Sequence, residues 1–105
     1  MSGFGLVVRF ELKAGHERPF DELVAVTLAG IRDREPATLV YASHAVPGEP
    51  RTRVFYELYR DRAAFEAHES QDHVRHFLAA RDEHVESFTV DVLDLVDAKG
   101  AGDPV

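Results

Sequence analysis

The stretch RVFYELYRD, residues 53–61, contains the change of pattern that decides the fold. Residues 53–60 are rich in β-forming and aromatic side chains and predict a strand. Asp61 is a favourable helix N-cap residue, so the chain is predicted to enter a helix immediately afterwards. Residues 38–46 are also β-rich, and the turn cluster Pro47-Gly48-Glu49-Pro50 lies between the two segments. The central stretch therefore predicts an antiparallel hairpin that leads directly into a helix.

The flanking segments complete the order of elements. Residues 4–12 alternate at period two and predict a strand, and residues 16–34 carry one apolar helical stripe. The helix after Asp61 is predicted to be interrupted at Ser70-Gln71-Asp72 and to continue to about Val85. Alternation then returns in residues 87–96. The order β-α-β-β-α-β predicts an α+β, ferredoxin-like fold, with helices covering one face of a four-stranded antiparallel sheet.

The opposite face of this sheet is predicted to be too apolar to face water over its full width. It would carry Val7, Val54, Tyr56, Leu58, Leu93 and Leu95. The simplest cover is the sheet of an identical subunit, so we expect a homodimer that closes through this face. We expect residues 1–96 to form a single domain and the polar, Gly-rich residues 97–105 to form a flexible tail.

The composition argues against several classes of function. The 105 residues include 12 Lys+Arg and 19 Asp+Glu, a net charge of −7, which argues against a nucleic-acid partner. The sequence has no Cys, so disulfides, zinc ribbons, thiolate catalysis and iron–sulfur clusters are excluded. We see no signal peptide and no stretch of about 20 apolar residues, and therefore expect a soluble, cytoplasmic protein without membrane contact.

Two polar side chains of the central stretch are candidates for chemistry. Glu57 and Tyr59 share a strand face with Phe55, and we expect this face to point inward. A buried carboxylate is costly unless it is paired. Glu57 is therefore either the partner of a buried Arg, His or hydroxyl group, which we favour, or a functional acid/base. Tyr59 is either a core aromatic or a pocket wall that hydrogen-bonds a phenol or a carbonyl.

The helix after Asp61 supplies the remaining candidates. His68 is either a tie between helix and sheet, for example through Glu57, or a general base with a near-neutral pKa. His73 and His76 are i, i+3 neighbours, but this spacing alone does not establish a metal site, and none is predicted. Arg75 is either a surface residue or a charge that steadies an oxyanion at a pocket mouth.

These residues resemble those of the antibiotic biosynthesis monooxygenase domain, a branch of the dimeric α+β barrel superfamily. The resemblance spans roughly residues 5–96. It rests on Tyr56-Glu57-Leu58-Tyr59-Arg60-Asp61, Ala64-Phe65-Glu66-Ala67-His68 and Asp72-His73-Val74-Arg75 with Phe77. The family is functionally mixed and includes cofactor-independent oxygenases of anthrones and quinols, haem-degrading enzymes and an isomerase of a phosphorylated sugar. Haem degradation is disfavoured, because Val8 and Tyr59 stand where those enzymes carry Asn and Trp.

The resemblance implies a cofactor-independent monooxygenase that oxidises an electron-rich phenolic, quinol or anthrone-type molecule with O₂. His68 or His73 would be the base, and Tyr59 and Arg75 would position or stabilise the oxyanion. Glu57 completes the candidate catalytic residues. The candidate substrate-binding residues are Phe4, Leu6, Val8, Tyr41, Phe55, Phe65 and Phe77. The alternatives are a non-oxidative isomerase or cyclase of the same fold, and a small-molecule-binding dimer without catalysis.

Overall fold

A computed structural model of the chain describes residues 3–100 and confirms the α+β, ferredoxin-like fold. The strands form one antiparallel sheet in the order β2-β3-β1-β4. The elements are β1 (Phe4–Leu12), α1 (Glu17–Arg34), β2 (Thr38–Val46), β3 (Glu49–Tyr59), α2 (Arg62–Glu69), α3 (Asp72–Ala80), a 3₁₀ turn (Arg81–Glu83) and β4 (Val85–Asp94).

The hairpin between β2 and β3 is tighter than predicted. Strand β3 begins at Glu49 rather than at residue 53, because Pro47 and Gly48 alone make the turn. Gly48 has φ 82°, a left-handed conformation that glycine adopts without steric cost. Pro50 lies inside β3, where the register with β2 is irregular, so its missing N–H removes no ladder hydrogen bond.

The helical segment after β3 is divided in two, as the sequence predicts. The Asp61 carboxylate accepts a hydrogen bond from the backbone N–H of Ala64 at 2.8 Å and thereby caps α2. The interruption at Ser70 and Gln71 separates α2 from α3. Helix α3 ends earlier than the predicted Val85, because Val85 already pairs with β1 and begins β4. Strand β4 is correspondingly shifted from the predicted residues 87–96.

The core lies between the helices and one face of the sheet. The β1 side chains predicted on one face are all buried there, together with residues of α1, β3 and α3: Phe4, Leu6, Val8, Phe10, Leu12, Phe20, Val24, Phe55, Tyr59 and Phe77. The helical layer covers β4 incompletely. On that strand Phe88, Val90 and Val92 share the helix-side face but are 44%, 45% and 63% exposed. The gap over β4 gives access to the space between sheet and helices.

The opposite sheet face carries the apolar side chains that the sequence predicts. Residues that stand directly opposite each other on neighbouring strands point to the same face of the sheet. Val7 stands opposite Tyr56, and Gly5 stands opposite Leu58 on one side and Leu93 on the other, so these side chains share this face. Closure of a homodimer through this face stays a prediction.

The C-terminal segment has little regular structure. Residues 97–100 form neither helix nor strand, and the rest of the expected flexible tail lies outside the described residues. Within residues 3–100, no helix combines the length and the apolar character needed to cross a membrane.

Candidate functional site

A cavity of about 300 Å³ lies between the sheet, α2, α3 and the uncovered part of β4. All seven predicted substrate-binding residues line it: Phe4, Leu6, Val8, Tyr41, Phe55, Phe65 and Phe77. Val74, Leu78, Phe88, Val90 and Val92 extend the apolar wall. The polar groups at its surface, besides Tyr41, are Glu57, Arg62, His68, Glu69 and Arg81. A mostly apolar slot with a few convergent polar groups is the usual form of a small-molecule site.

His68 is held in the cavity wall by a carboxylate that the sequence analysis did not identify. The ring is 4% exposed, and its Nδ1 lies 2.6 Å from Oε1 of Glu35, just beyond the end of α1. Thr38 donates to the same oxygen at 2.7 Å, and Nε2 of His73 lies 2.5 Å from Oε2. Glu35 therefore joins the end of α1 to β2, α2 and α3. Only its place before Pro36, where the chain must leave the helix, could have drawn attention to it.

The protonation of this cluster follows from its hydrogen bonds. Burial raises the pKa of Glu35, but the hydrogen bonds from Thr38, His68 and His73 outweigh it and hold the pKa below its usual value. An ionised carboxylate only accepts, so the neutral His68 ring carries its proton on Nδ1.

The other nitrogen of His68 is consequently a free base. Its Nε2 has no hydrogen-bond partner within residues 3–100, and the ring forms part of the cavity wall. Burial lowers the pKa of His68, against the opposing effect of Glu35, and so favours the neutral ring. A neutral imidazole with one nitrogen held by a carboxylate and the other unengaged is suited to general-base chemistry.

Glu57 and Tyr59 form a second polar pair. The two side chains project from the same face of β3, and the Tyr59 hydroxyl donates to Oε1 of Glu57 at 2.6 Å. Burial raises the pKa of Glu57 to about 7, against the opposing hydrogen bond from Tyr59. Burial also raises the pKa of Tyr59, which keeps the hydroxyl protonated as the donor.

These contacts correct one sequence-based expectation. Glu57 has a buried hydroxyl as its partner, as one alternative held, but the suggested tie between His68 and Glu57 is absent because Glu35 takes that position. The fully buried Tyr59 packs behind the cavity wall, with its ring centroid 5.0 Å from that of His68.

Arg62 and Arg81 line the cavity, whereas Arg75 does not, and Arg81 is the one with an unsatisfied buried donor. Its Cζ lies 4.6 Å from the centre of the Phe88 ring, and its Nε is buried without a hydrogen-bond partner among the described residues. A buried donor without an acceptor carries an energetic cost, which an anionic ligand would remove. Arg75 is exposed and does not line the cavity. The signal was present in the sequence, since Arg81 follows the buried Val74 and Phe77 by seven and four residues and thus continues their helical stripe.

The structure separates the remaining histidines of this region from the cavity. His73 contacts Glu35 but lines a different groove, beside α1, and His76 is exposed. Among residues 3–100, no three acidic or histidine side chains are arranged to hold a metal ion. That His68, His73, Glu57, Tyr59 or Arg75 acts in catalysis stays a prediction.

Comparison with proteins of known structure agrees with this fold. A Shewanella oneidensis protein of known structure is 30% identical, with a TM-score of 0.83 over 92% of this chain and 94% of that one. A Caulobacter crescentus protein described as a candidate antibiotic biosynthesis monooxygenase is 22% identical, with a TM-score of 0.86 over 91% and 92% of the two chains. A Chloroflexus aurantiacus protein with the same description is 17% identical, with a TM-score of 0.84 over 96% and 100%.

Sequence comparison then identifies the family. No curated protein matches the chain significantly. The family model for antibiotic biosynthesis monooxygenases matches residues 3–80, which include β1 to α3 and most of the cavity wall. The chain therefore belongs to the antibiotic biosynthesis monooxygenase family.

Proposed function

We propose that the chain is a cofactor-independent monooxygenase that oxidises an electron-rich phenolic, quinol or anthrone-type molecule with O₂. Family membership supports a monooxygenase-type function in general. The finer proposal rests on one observation, the placement of His68. Its Nδ1 is engaged by Glu35 and its Nε2 has no protein partner, in the wall of a cavity lined mainly by aromatic and aliphatic side chains.

In this proposal His68 starts the reaction. Its Nε2 takes the proton of a substrate hydroxyl group, and the ionised Glu35 stabilises the resulting imidazolium. The substrate anion is electron-rich enough to give one electron to O₂, and recombination of the two radicals forms the carbon–oxygen bond. For an anthrone, the ring CH₂ becomes a carbonyl and the second oxygen atom leaves as water. The apolar walls keep competing water away from the intermediates.

Arg81 would stabilise the negative charge that develops on the substrate oxygen. Its guanidinium lies at the cavity over Phe88 and lacks a partner for Nε, whereas Arg75 is directed elsewhere. Tyr59 would act through Glu57, because its hydroxyl is already engaged there. The substrate is therefore expected to be planar, largely apolar and ionisable at one hydroxyl group.

The test is O₂ uptake by the purified, metal-free protein with a panel of quinols, anthrones and naphthols. We expect His68→Gln to lower kcat by about 100-fold or more, the usual contribution of a general base. Arg81→Ala should lower kcat/KM, whereas the matched variant Arg75→Ala should leave it unchanged. Absence of O₂ uptake with every compound would exclude the oxygenase, and full activity of His68→Gln would exclude His68 as the base.

A non-oxidative isomerase is the second candidate, and Glu57 favours it. A cavity carboxyl with a pKa raised to about 7 can both give and take protons near neutral pH. Together with His68 it would form an acid–base pair that needs no oxygen. Turnover that persists in an anaerobic assay, and falls in Glu57→Gln, would support this alternative over the oxygenase.

A further inference from the structure

The second half of the proposed oxidation needs a proton donor as well as a base. Addition of O₂ to the substrate carbon gives a peroxide anion, which takes back the proton held by His68. The resulting hydroperoxide becomes a carbonyl only if its C–H proton is removed and its outer oxygen leaves as water. The neutral His68 ring can take the C–H proton, so a second group must protonate the departing oxygen.

The cavity wall offers several oxygen acids, of which one is suited to this step. Burial raises the pKa values of Tyr41 and Tyr59 well above the usual range, so neither phenol releases its proton readily near neutral pH. Glu69 lines the cavity but is exposed to water. Glu57 also lines the cavity and is only 6% exposed, and its buried carboxyl group favours the protonated form.

The Glu57 carboxyl group is oriented by its neighbour on β3. The Tyr59 hydroxyl donates to Oε1 of Glu57 at 2.6 Å, so the protonated carboxyl carries its hydrogen on Oε2. Among residues 3–100, Oε2 has no hydrogen-bond partner, and it does not belong to the fully buried polar atoms that lack one. Oε2 is therefore the atom that Glu57 presents to the cavity.

Glu57 and His68 border the same end of the cavity. The ring of Tyr59 lies 5.0 Å from that of His68, centroid to centroid, and the hydroxyl of the same residue holds Glu57. Tyr41 stands opposite Glu57 in the sheet, and its ring centroid lies 5.5 Å from that of His68. An acid and a base are thus available to one bound molecule.

We propose that Glu57 is the general acid that protonates the departing oxygen through Oε2, an assignment that rests on the proposed function. His68 takes the C–H proton, and the electron pair of that bond forms the second carbon–oxygen bond. The O–O bond breaks, and the outer oxygen leaves as water with the proton of Glu57. Transfer of a proton from His68 to Glu57 then restores both groups.

The groups that face Glu57 come from every neighbouring element. They are Tyr41 on β2, Tyr59 on β3, His68 and Glu69 on α2, Arg81 after α3 and Glu35 after α1. Burial, Glu69 and Glu35 raise the pKa of Glu57, whereas the hydrogen bond from Tyr59 and the charge of Arg81 lower it. The balance leaves the pKa at about 7, so the acid form is present up to neutral pH.

The experiment compares the full-length unaltered protein with Glu57→Gln, using the compound of the quinol, anthrone and naphthol panel that gives the fastest O₂ uptake. O₂ consumption, carbonyl product and released hydroperoxide are measured together. Gln still accepts from Tyr59 but has no proton to give. We expect kcat for the carbonyl product to fall by about 100-fold or more, with hydroperoxide released in its place. The control Glu22→Gln, exposed on α1, should match the unaltered protein.

The pH dependence of kcat is the second measurement. Activity of the unaltered protein should fall as the pH rises through the pKa of Glu57, about 7 in the free protein, because the acid form is lost. Tyr59→Phe removes a hydrogen bond that lowers this pKa, so the fall should move to higher pH. In Glu57→Gln the fall should disappear.

Full conversion of O₂ into carbonyl product by Glu57→Gln, at an unchanged kcat, would overturn the assignment and leave the monooxygenase standing. The same holds if Tyr59→Phe does not move the fall in activity, a result that decides the question even if Glu57→Gln does not fold. Absence of O₂ uptake with every compound would exclude the proposed function, and this role of Glu57 with it.

Discussion

Glu57 is a carboxyl group held in surroundings very different from water. It is 6% exposed, and burial raises its pKa from 4.5 to about 7. The folded protein therefore retains a proton that the unfolded chain releases. This contribution to stability is complete below pH 4.5 and is lost as the pH rises to about 7.

The first prediction at this scale concerns stability and pH. Between pH 4.5 and 8, the ionisation of Glu57 should lower the free energy of unfolding by about 3 kcal/mol. Urea denaturation at both pH values, compared between the unaltered protein and Glu57→Gln, isolates this effect, because Gln keeps an acceptor for Tyr59 but does not titrate. If the free energy of unfolding varied with pH in the same way in the two proteins, the pKa of Glu57 would not be raised in the folded state.

At the scale of elements, the close approach of α1 and α3 depends on Gly30. Within a helix, alanine is ordinarily more favourable than glycine by about 1 kcal/mol. Here the added methyl would meet His73 at 2.5 Å, and the contact involves the stiff base of that side chain, including its Cβ at 2.9 Å.

We therefore expect Gly30→Ala to destabilise the protein by about 1–3 kcal/mol, the usual cost of overpacking, against the helix preference. The double variant Gly30→Ala/His73→Ala should recover much of this loss, which thermal or urea unfolding of the four proteins of the cycle would measure. The neighbouring variant Ala29→Gly measures how much this helix prefers alanine over glycine at an adjacent position. Increased stability of Gly30→Ala would mean that α1 and α3 are not in close contact here.

At the scale of the whole molecule, the sheet leaves one broad face without a helical cover. Val54 and Tyr56 lie on this face and are half-buried, and Leu93 on the same face is 36% exposed. The family resemblance implies a dimeric barrel, and such a face suits a sheet-on-sheet interface. We propose a homodimer closed through this face.

The matching prediction is that Tyr56→Glu converts the dimer into the 11.7 kDa monomer. A carboxylate at the centre of the interface would have to be desolvated without a partner. Analytical ultracentrifugation measures the change, and Val26→Glu is the matched control because Val26 is 65% exposed on α1. A monomer in the unaltered protein would exclude this interface.

The period-two alternation of apolar residues in the strands and the apolar stripes of the helices predict the fold well. The bounds of β1 and β2 were predicted to the residue, and Asp61 caps the helix as expected. The errors lie at Pro50 and Val85. There the pairing of neighbouring strands, which no local pattern encodes, decides where β3 and β4 begin.

In the candidate site, the sequence and the tertiary structure determined different groups of side chains. The sequence by itself determined which apolar side chains of the strands face the helices, because period two fixes the face of a strand. Phe4, Leu6, Val8 and Phe55 line the cavity accordingly, and the predicted Tyr41, Phe65 and Phe77 line it too. Only the tertiary structure decided the polar partners. Glu35 meets His68 and His73 across 33 and 38 residues of chain, and such contacts depend on how helices pack rather than on local spacing. Arg81 takes the place expected of Arg75 because the orientation of α3 directs one side of the helix to the cavity and the other to solvent.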